Sequence, residues 1–166
     1  MELLGISLSP RKGGNSEILL QEALRGAKEC GAKTEFLPAR KMSINPCSGC
    51  LRCRATGVCV TKDDMQQVYP MLLKADGLIF AAPVYYWSLA GNAKVFLDRT
   101  YALRFPHLKL MNKVGAAISV ASSAANTSSL NVFNMFFIFI KSGSTDSVKL
   151  SSCKGRLKNI CRIHRT

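Results

Sequence analysis

The chain has 166 residues, 48% of them apolar, which suffices for one domain that buries a core without disulfides and is too short for a tandem enzyme. Lys and Arg number 23 against 10 Asp and Glu, a net charge of +13 that ordinarily raises a nucleic acid or an anionic membrane as partner. The charge divides unevenly: residues 1–120 hold 16 basic and 9 acidic side chains, and residues 121–166 hold 7 and 1, so a short tail carries almost half of the excess. The longest apolar run, Val132 to Ile140, is broken by Asn134 and falls far short of the roughly 20 residues of a membrane span. Met1 opens straight into the strand-like ELLGISL, so a cytoplasmic setting is expected. In that compartment clustered cysteines point to metal or redox chemistry rather than to structural disulfides.

In chain order, Glu2 to Leu8 reads as a strand, SPRKGGNS as a loop, and Ile18, Leu19, Ala23, Leu24 and Ala27 recur at helical spacing. Asn15 or Ser16 is placed to cap that helix, Glu17 suits the positive end of its dipole, and Gly31 is placed to end it. Thr34 to Pro38 predicts a second strand. After a cysteine-bearing loop, Asp63 and Gln66 stand in a capping-box relation ahead of a second helix, which Pro70 should kink or restart. Gly77 to Ala82 predicts a buried strand, Ala90 to Leu103 a third helix, and Val114 to Val120 a fourth strand. Apolar strands alternating with amphipathic helices predict an α/β doubly wound domain whose parallel sheet is covered on both faces. Ligands of such sheets bind at the carboxyl ends of the strands, beside the switch point. From Ala121 the texture changes to a Ser-rich patch, then LNVFNMFFIFI, then a basic run ending RLKNICRIHRT. The apolar run is a candidate fifth strand and the basic run a candidate solvated helix, against a poorly ordered end.

Three loops carry chemistry. SPRKGGNS offers two glycines for a tight turn, a helix N-terminus, hydroxyls and Arg11, which together suit a phosphate; the alternative is an ordinary strand-to-helix turn. Its spacing fits neither a Walker loop nor G-x-G-x-x-G. Cys47, Cys50, Cys53 and Cys59 form a C-x2-C-x2-C-x5-C run compact enough to wrap one cubane cluster, with Arg52 and Arg54 available to offset the thiolate charge. Zinc usually takes two C-x2-C pairs held apart, and the remaining alternative is one or two redox or buried thiols among incidental ones. PVYYWSLAG directly follows the third strand and can lay backbone and aromatic faces on a flat heterocycle, although exposed aromatics also serve interfaces. His107 and His164 read as surface residues, Cys30 as a core thiol, Cys153 and Cys161 as thiols without a motif, and Asp98-Arg99 as an ion pair or subunit contact.

GISLSPRKGGNS, the cysteine loop with Asp63-Asp64-Met65 behind it, ADGLIFAAPVYYW and KVFLDR, in this order, resemble the flavodoxin-like NAD(P)H-dependent FMN reductases, and most closely the iron-sulfur flavoproteins. The resemblance covers Met1 to about Val120. It implies a sheet of order 2-1-3-4-5. It also implies an FMN phosphate held by Ser9, Arg11, Lys12, Asn15 and Ser16, and an isoalloxazine lying along Pro83, Val84, Tyr85, Tyr86 and Trp87. Cys47, Cys50, Cys53 and Cys59 would ligate a [4Fe-4S] cluster as metal ligands. The family further implies dimers or tetramers with flavin sites near subunit contacts, and electrons exchanged with a ferredoxin-like carrier or taken as hydride from NAD(P)H. A cluster-free NAD(P)H-dependent FMN or quinone reductase is the rival on the same fold. A non-catalytic basic protein that binds nucleic acid through the tail is the rival from another class. Where the family has a glycine-rich flavin loop after the fourth strand, this chain has Ala121-Ser122-Ser123-Ala124-Ala125, and the abrupt shift there is what an altered reading frame would leave.

Overall fold

A computed structural model describes residues 1–122, 126–140 and 148–151, with side-chain surroundings defined through Ile138. The strands are β1 (Glu2–Ser7), β2 (Lys33–Pro38), β3 (Gly77–Tyr85), the short β4 (Ser88–Leu89), β5 (Val114–Val120) and β6 (Val148–Ser151). Between them run helices α1 (Asn15–Glu29), α2 (Arg52–Thr56), α3 (Met65–Lys74), α4 (Gly91–Arg99) and α5 (Asn126–Ile140). The parallel strands are ordered β2-β1-β3-β5-β6, and β4 folds back antiparallel on the end of β3. Counting only the parallel strands, this is the 2-1-3-4-5 order. Among the described residues no helix is long and apolar enough to cross a membrane.

β1 is buried from Leu3 to Ser7 on both faces, so each face needs a helical cover. On one side Leu20 and Leu24 of α1 pack on Ala81 and Ile118. Gly5 makes this possible, since a Cβ there would stand 2.6 Å from Leu24 Cδ1. On the other side α3, α4 and α5 enclose a larger cluster built around Leu4, Ile6, Val68, Leu72, Phe80, Phe96 and Phe133. α1 ends as its sequence predicts: Gly31, at φ +86°, donates to the Lys28 carbonyl and Ala32 to the Ala27 carbonyl, a Schellman closure.

Five local expectations change. The N-cap of α1 is Gly14, whose carbonyl accepts from the Glu17 and Ile18 amides, while Asn15 and Ser16 lie inside the first turn. Cys30 caps the other end of the same helix and is exposed rather than in the core. Pro70 leaves α3 continuous, because the proline sits on the solvent face while Val68, Tyr69 and Leu72 anchor the helix from below. The third helix gives way after Arg99 to a 3-10 segment, Thr100–Arg104: the Tyr69 hydroxyl takes the Arg99 carbonyl at 3.0 Å and the Thr100 hydroxyl takes that of Leu97 at 2.6 Å. Finally, LNVFNMFFIFI is not a strand but most of α5, and the fifth parallel strand is β6. The basic run from residue 152 lies outside the described residues, as do Cys153, Cys161 and His164.

The ring of Phe80 explains the helical choice. Phe133 stacks on it at 5.7 Å, and Phe136 and Phe137 approach at 5.3 and 5.8 Å, a 3.6-residue stripe that a strand cannot present. Met135 points outward and is 53% exposed, whereas Phe133 is fully buried. Phe133→Ala is therefore expected to cost about 3–5 kcal/mol in denaturant unfolding, and Met135→Ala at most about 0.5 kcal/mol. Equal costs would mean that residues 133 and 135 share a face, as in a strand.

Candidate functional site

Two loops leave the sheet side by side at the carboxyl ends of β1 and β3. The strands are neighbours, with Ser7 opposite Ala81, and the Leu8 amide extends the ladder to the Ala81 carbonyl at 2.8 Å. In the first loop Ser9 is buried and its Oγ accepts from the Arg11 amide at 3.2 Å, which turns the chain. Gly13, at φ +65°, completes the turn in a conformation that side chains resist. Arg11, Lys12 and Asn15 are exposed around the start of α1, and Ser16 is buried beneath them. The Asn15 and Ser16 amides that open the helix precede its first backbone bonds, so the loop presents donors and positive charge to an anion. Asn92 of α4 donates to the Leu8 carbonyl at 2.9 Å and ties that helix to the same edge.

The second loop is a two-residue hairpin. Val84 pairs with Leu89 and Tyr85 with Ser88, leaving Tyr86 and Trp87 at the turn with φ of 43° and 71°. Such a turn normally takes Asn-Gly; two aromatic residues there cost on the order of 1–3 kcal/mol each in backbone strain. Tyr86 is 97% and Trp87 66% exposed, so the strain projects flat apolar faces into solvent beside the first loop. Pro83 and Val84 are half-buried at its base. These ten residues thus lie along one edge of the sheet. Of the stretch expected to replace the glycine-rich loop, Ala121 and Ser122 follow β5 on the same edge, and residues 123–125 lie outside the described residues.

The four cysteines line one hollow together with Asp98, Arg99 and Tyr101. Gly49 and Leu51 turn the backbone at φ of +67° and 57°, and α2 carries Cys53 before Gly57 ends it at φ +68°. Cys47 and Cys50 are exposed, while Cys53 and Cys59 are half-buried. Among the described residues no three His, Cys, Asp or Glu side chains stand in an arrangement that holds a single metal ion. The thiols differ in electrostatics. The Arg52 amide and then the Ser48 hydroxyl hold Cys50 below the usual thiol range, and burial pushes Cys53 up. Burial also opposes ionisation of Cys59, but the Thr61 amide, the Tyr69 and Thr61 hydroxyls and the charge of Arg99 outweigh it and bring its thiol down.

Arg54 is bonded to Tyr101, which lines the same hollow. Its guanidinium donates to the Tyr101 hydroxyl at 2.9 Å and lies 5.8 Å over the Phe105 ring. The buried cation at the hollow is Arg99, 1% exposed, and its partner is Asp63 rather than the adjacent Asp98, which pairs with Lys94. Burial opposes the charge on both Arg99 and Asp63; their mutual contact nevertheless raises the guanidinium and lowers the carboxyl. Asp63 and Gln66 form no capping box. The Asp63 carboxylate accepts from the Met65 amide at 3.1 Å and the Asn45 amide at 2.9 Å, and Gln66 reaches back to the carbonyls of Cys59 and Thr61 at 3.1 and 2.6 Å. One signal could have flagged Arg99: it stands three residues after Phe96, on the apolar face of its helix. Nothing local could have named Asp63 as its partner, 36 residues away.

The NADPH-dependent FMN reductase family matches residues 1–145, past the change of texture at residue 121. An iron-sulfur flavoprotein of Methanocaldococcus jannaschii is 37% identical over 141 residues, 83% of this chain and 72% of the relative. An iron-sulfur flavoprotein of Methanosarcina thermophila is 43% identical over 123 residues, 74% of this chain and 64% of the relative. The chain thus spans about two thirds of the length of these relatives. Among solved structures, RosB with a bound intermediate is similar in fold, with a TM-score of 0.70 at 14% identity over 86% of this chain and 61% of that one. The chain belongs to the NADPH-dependent FMN reductase family, and so to the flavin-dependent oxidoreductases.

Proposed function

We propose that the chain is an FMN-dependent electron-transfer flavoprotein with a cysteine-ligated [4Fe-4S] cluster, passing electrons between the flavin and a ferredoxin-like carrier or NAD(P)H. The observation that carries this reading is the convergence of Cys47, Cys50, Cys53 and Cys59 on one hollow in a chain of an FMN reductase family. A cubane spreads four thiolates over four corners, whereas zinc draws them to about 2.3 Å from one ion. The names of the relatives, iron-sulfur flavoproteins, support the former.

Ser9, Arg11, Lys12, Asn15 and Ser16 would hold the FMN phosphate through hydroxyls, amides and positive charge. Pro83, Val84, Tyr85, Tyr86 and Trp87 would lie along the isoalloxazine. Bound flavin supplies one- and two-electron chemistry, and the protein's task is orientation, exclusion of water and tuning of potential. The turn backbone is set in advance by the hairpin, so binding need not order it. A homodimer or homotetramer in the cytoplasm completes the proposal, because aromatic residues as exposed as Tyr86 and Trp87 suit a subunit contact beside the flavin.

A visible spectrum of anaerobically purified protein, with iron and sulfide assays, is expected to show both flavin and a cluster of four irons per chain. Flavin without iron would assign the chain instead to the cluster-free NAD(P)H-dependent FMN or quinone reductases. Cys50→Ala is expected to abolish the cluster and leave FMN bound; full iron content in this variant would remove Cys50 from the ligand set. Arg11→Ala is expected to weaken FMN binding by about tenfold or more, the loss of one charge-assisted phosphate contact. A fluorescence titration with an unchanged Kd would take Arg11 out of the phosphate site.

A further inference from the structure

We propose that Arg99 is the positioning residue of the cysteine site: it fixes the Cys59 sulfur and turns the positive end of a buried ion pair toward the thiols. The proposal rests on the cluster reading above. Arg99 Nη2 donates to Cys59 Sγ and to the Thr61 carbonyl, both at 3.4 Å, and to Asp63 Oδ1 at 3.0 Å. Nη1 donates to the Asn45 carbonyl at 2.8 Å and pairs with Asp63 Oδ2. One planar group thereby contacts the chain before the cysteine loop, within it and after it. The guanidinium thus touches both Asp63 and Cys59, the carboxylate through Nη1 and Nη2 and the sulfur through Nη2.

Tying down the loop does not by itself call for a charge. Asp63 already accepts two backbone amides, and neutral Gln66 already anchors the Cys59 and Thr61 carbonyls. A buried ion pair carries a desolvation penalty that neutral side chains of similar size avoid. Its cation gains a use where anionic sulfur collects in the same low-dielectric pocket, as outer-shell partners do for metal ligands. Of the other charges nearby, Arg52 acts on Cys50, while Arg54 is bonded to Tyr101, Lys109 to the Gly57 carbonyl at 2.8 Å, and Asp98 to Lys94. The Tyr69 hydroxyl, from α3, donates to the backbone carbonyl of Arg99 at 3.0 Å and helps to hold it in place.

Two variants test this. Arg99→Lys keeps the charge but loses the planar fork. The double variant Asp63→Asn with Arg99→Gln keeps the pocket neutral and filled, so that the fold survives loss of the charge. In Arg99→Lys, iron is expected to pass to a chelator about tenfold faster or more, as for other outer-shell substitutions. In the double variant the cluster midpoint potential, measured by dye-mediated titration with EPR, is expected to move negative while FMN stays bound. A chelation rate and a potential equal to those of the unaltered chain would overturn the proposal. Should the unaltered chain hold no iron, the cluster reading falls, and alkylation of the iron-free protein decides for Arg99. Faster labelling of Cys59 but not of Cys53 in Arg99→Lys would sustain its hold on the sulfur, and equal labelling would reject it.

Discussion

β1 and β3 pair in parallel at the centre of the sheet, and over the paired stretch nearly every residue, Leu3 to Ser7 and Gly77 to Ala81, is buried. Everything else follows from covering them. A parallel connection needs a crossover helix, so α1 is carried across one face, and Gly5 lets it approach closely enough to seat Leu24. The opposite face receives α3, α4 and α5 around Phe80. Because both strands end at the same edge, the loops that follow them are neighbours whatever their composition. The basic, glycine-bearing turn after β1 and the aromatic hairpin after β3 are thereby brought together, the first offering donors to an anion and the second a flat surface.

The cysteine loop is held by a different device. It runs from β2 to α3 with one short helix of its own, and its path depends on groups outside it: Gln66 from α3, Tyr101 from the 3-10 segment, and the Arg99–Asp63 pair. A buried pair of this kind costs several kcal/mol in desolvation and about 3–5 kcal/mol when one partner alone is removed. The arrangement leaves Cys47 and Cys50 toward solvent and Cys53 and Cys59 against the body. The hollow is thus open to solvent on one side, while α2, α3 and α4 fix the geometry on the other.

The tail shows where periodicity outranks composition. LNVFNMFFIFI is rich in β-favouring residues, yet three of them, Phe133, Phe136 and Phe137, fall on one helical stripe against Phe80, and tertiary packing settles the matter in favour of helix. The same ring cluster explains Gly115, where a Cβ would run into the Phe137 ring. α5 and β6 then continue the doubly wound pattern: β6 joins β5 in parallel, with Ala116 opposite Val148 and Ser119 opposite Ser151.

The sequence by itself determined the α/β class, the four strands of the body, the Schellman end of α1 and the two loops at the sheet edge. Each of these is written in local spacing: apolar runs, a helical period, a glycine after a helix. The compact cysteine spacing likewise foreshadowed the gathering of the four thiols around one hollow. Tertiary structure alone decided which groups complete that site. Arg99 and Asp63 are 36 residues apart and meet only because α4 and the start of α3 pack against one loop. It also decided that Pro70 leaves its helix intact, that Arg54 is bonded to Tyr101, and that the late apolar run is helical. In each case the deciding energy lies in contacts between segments distant in the chain, which no local pattern encodes.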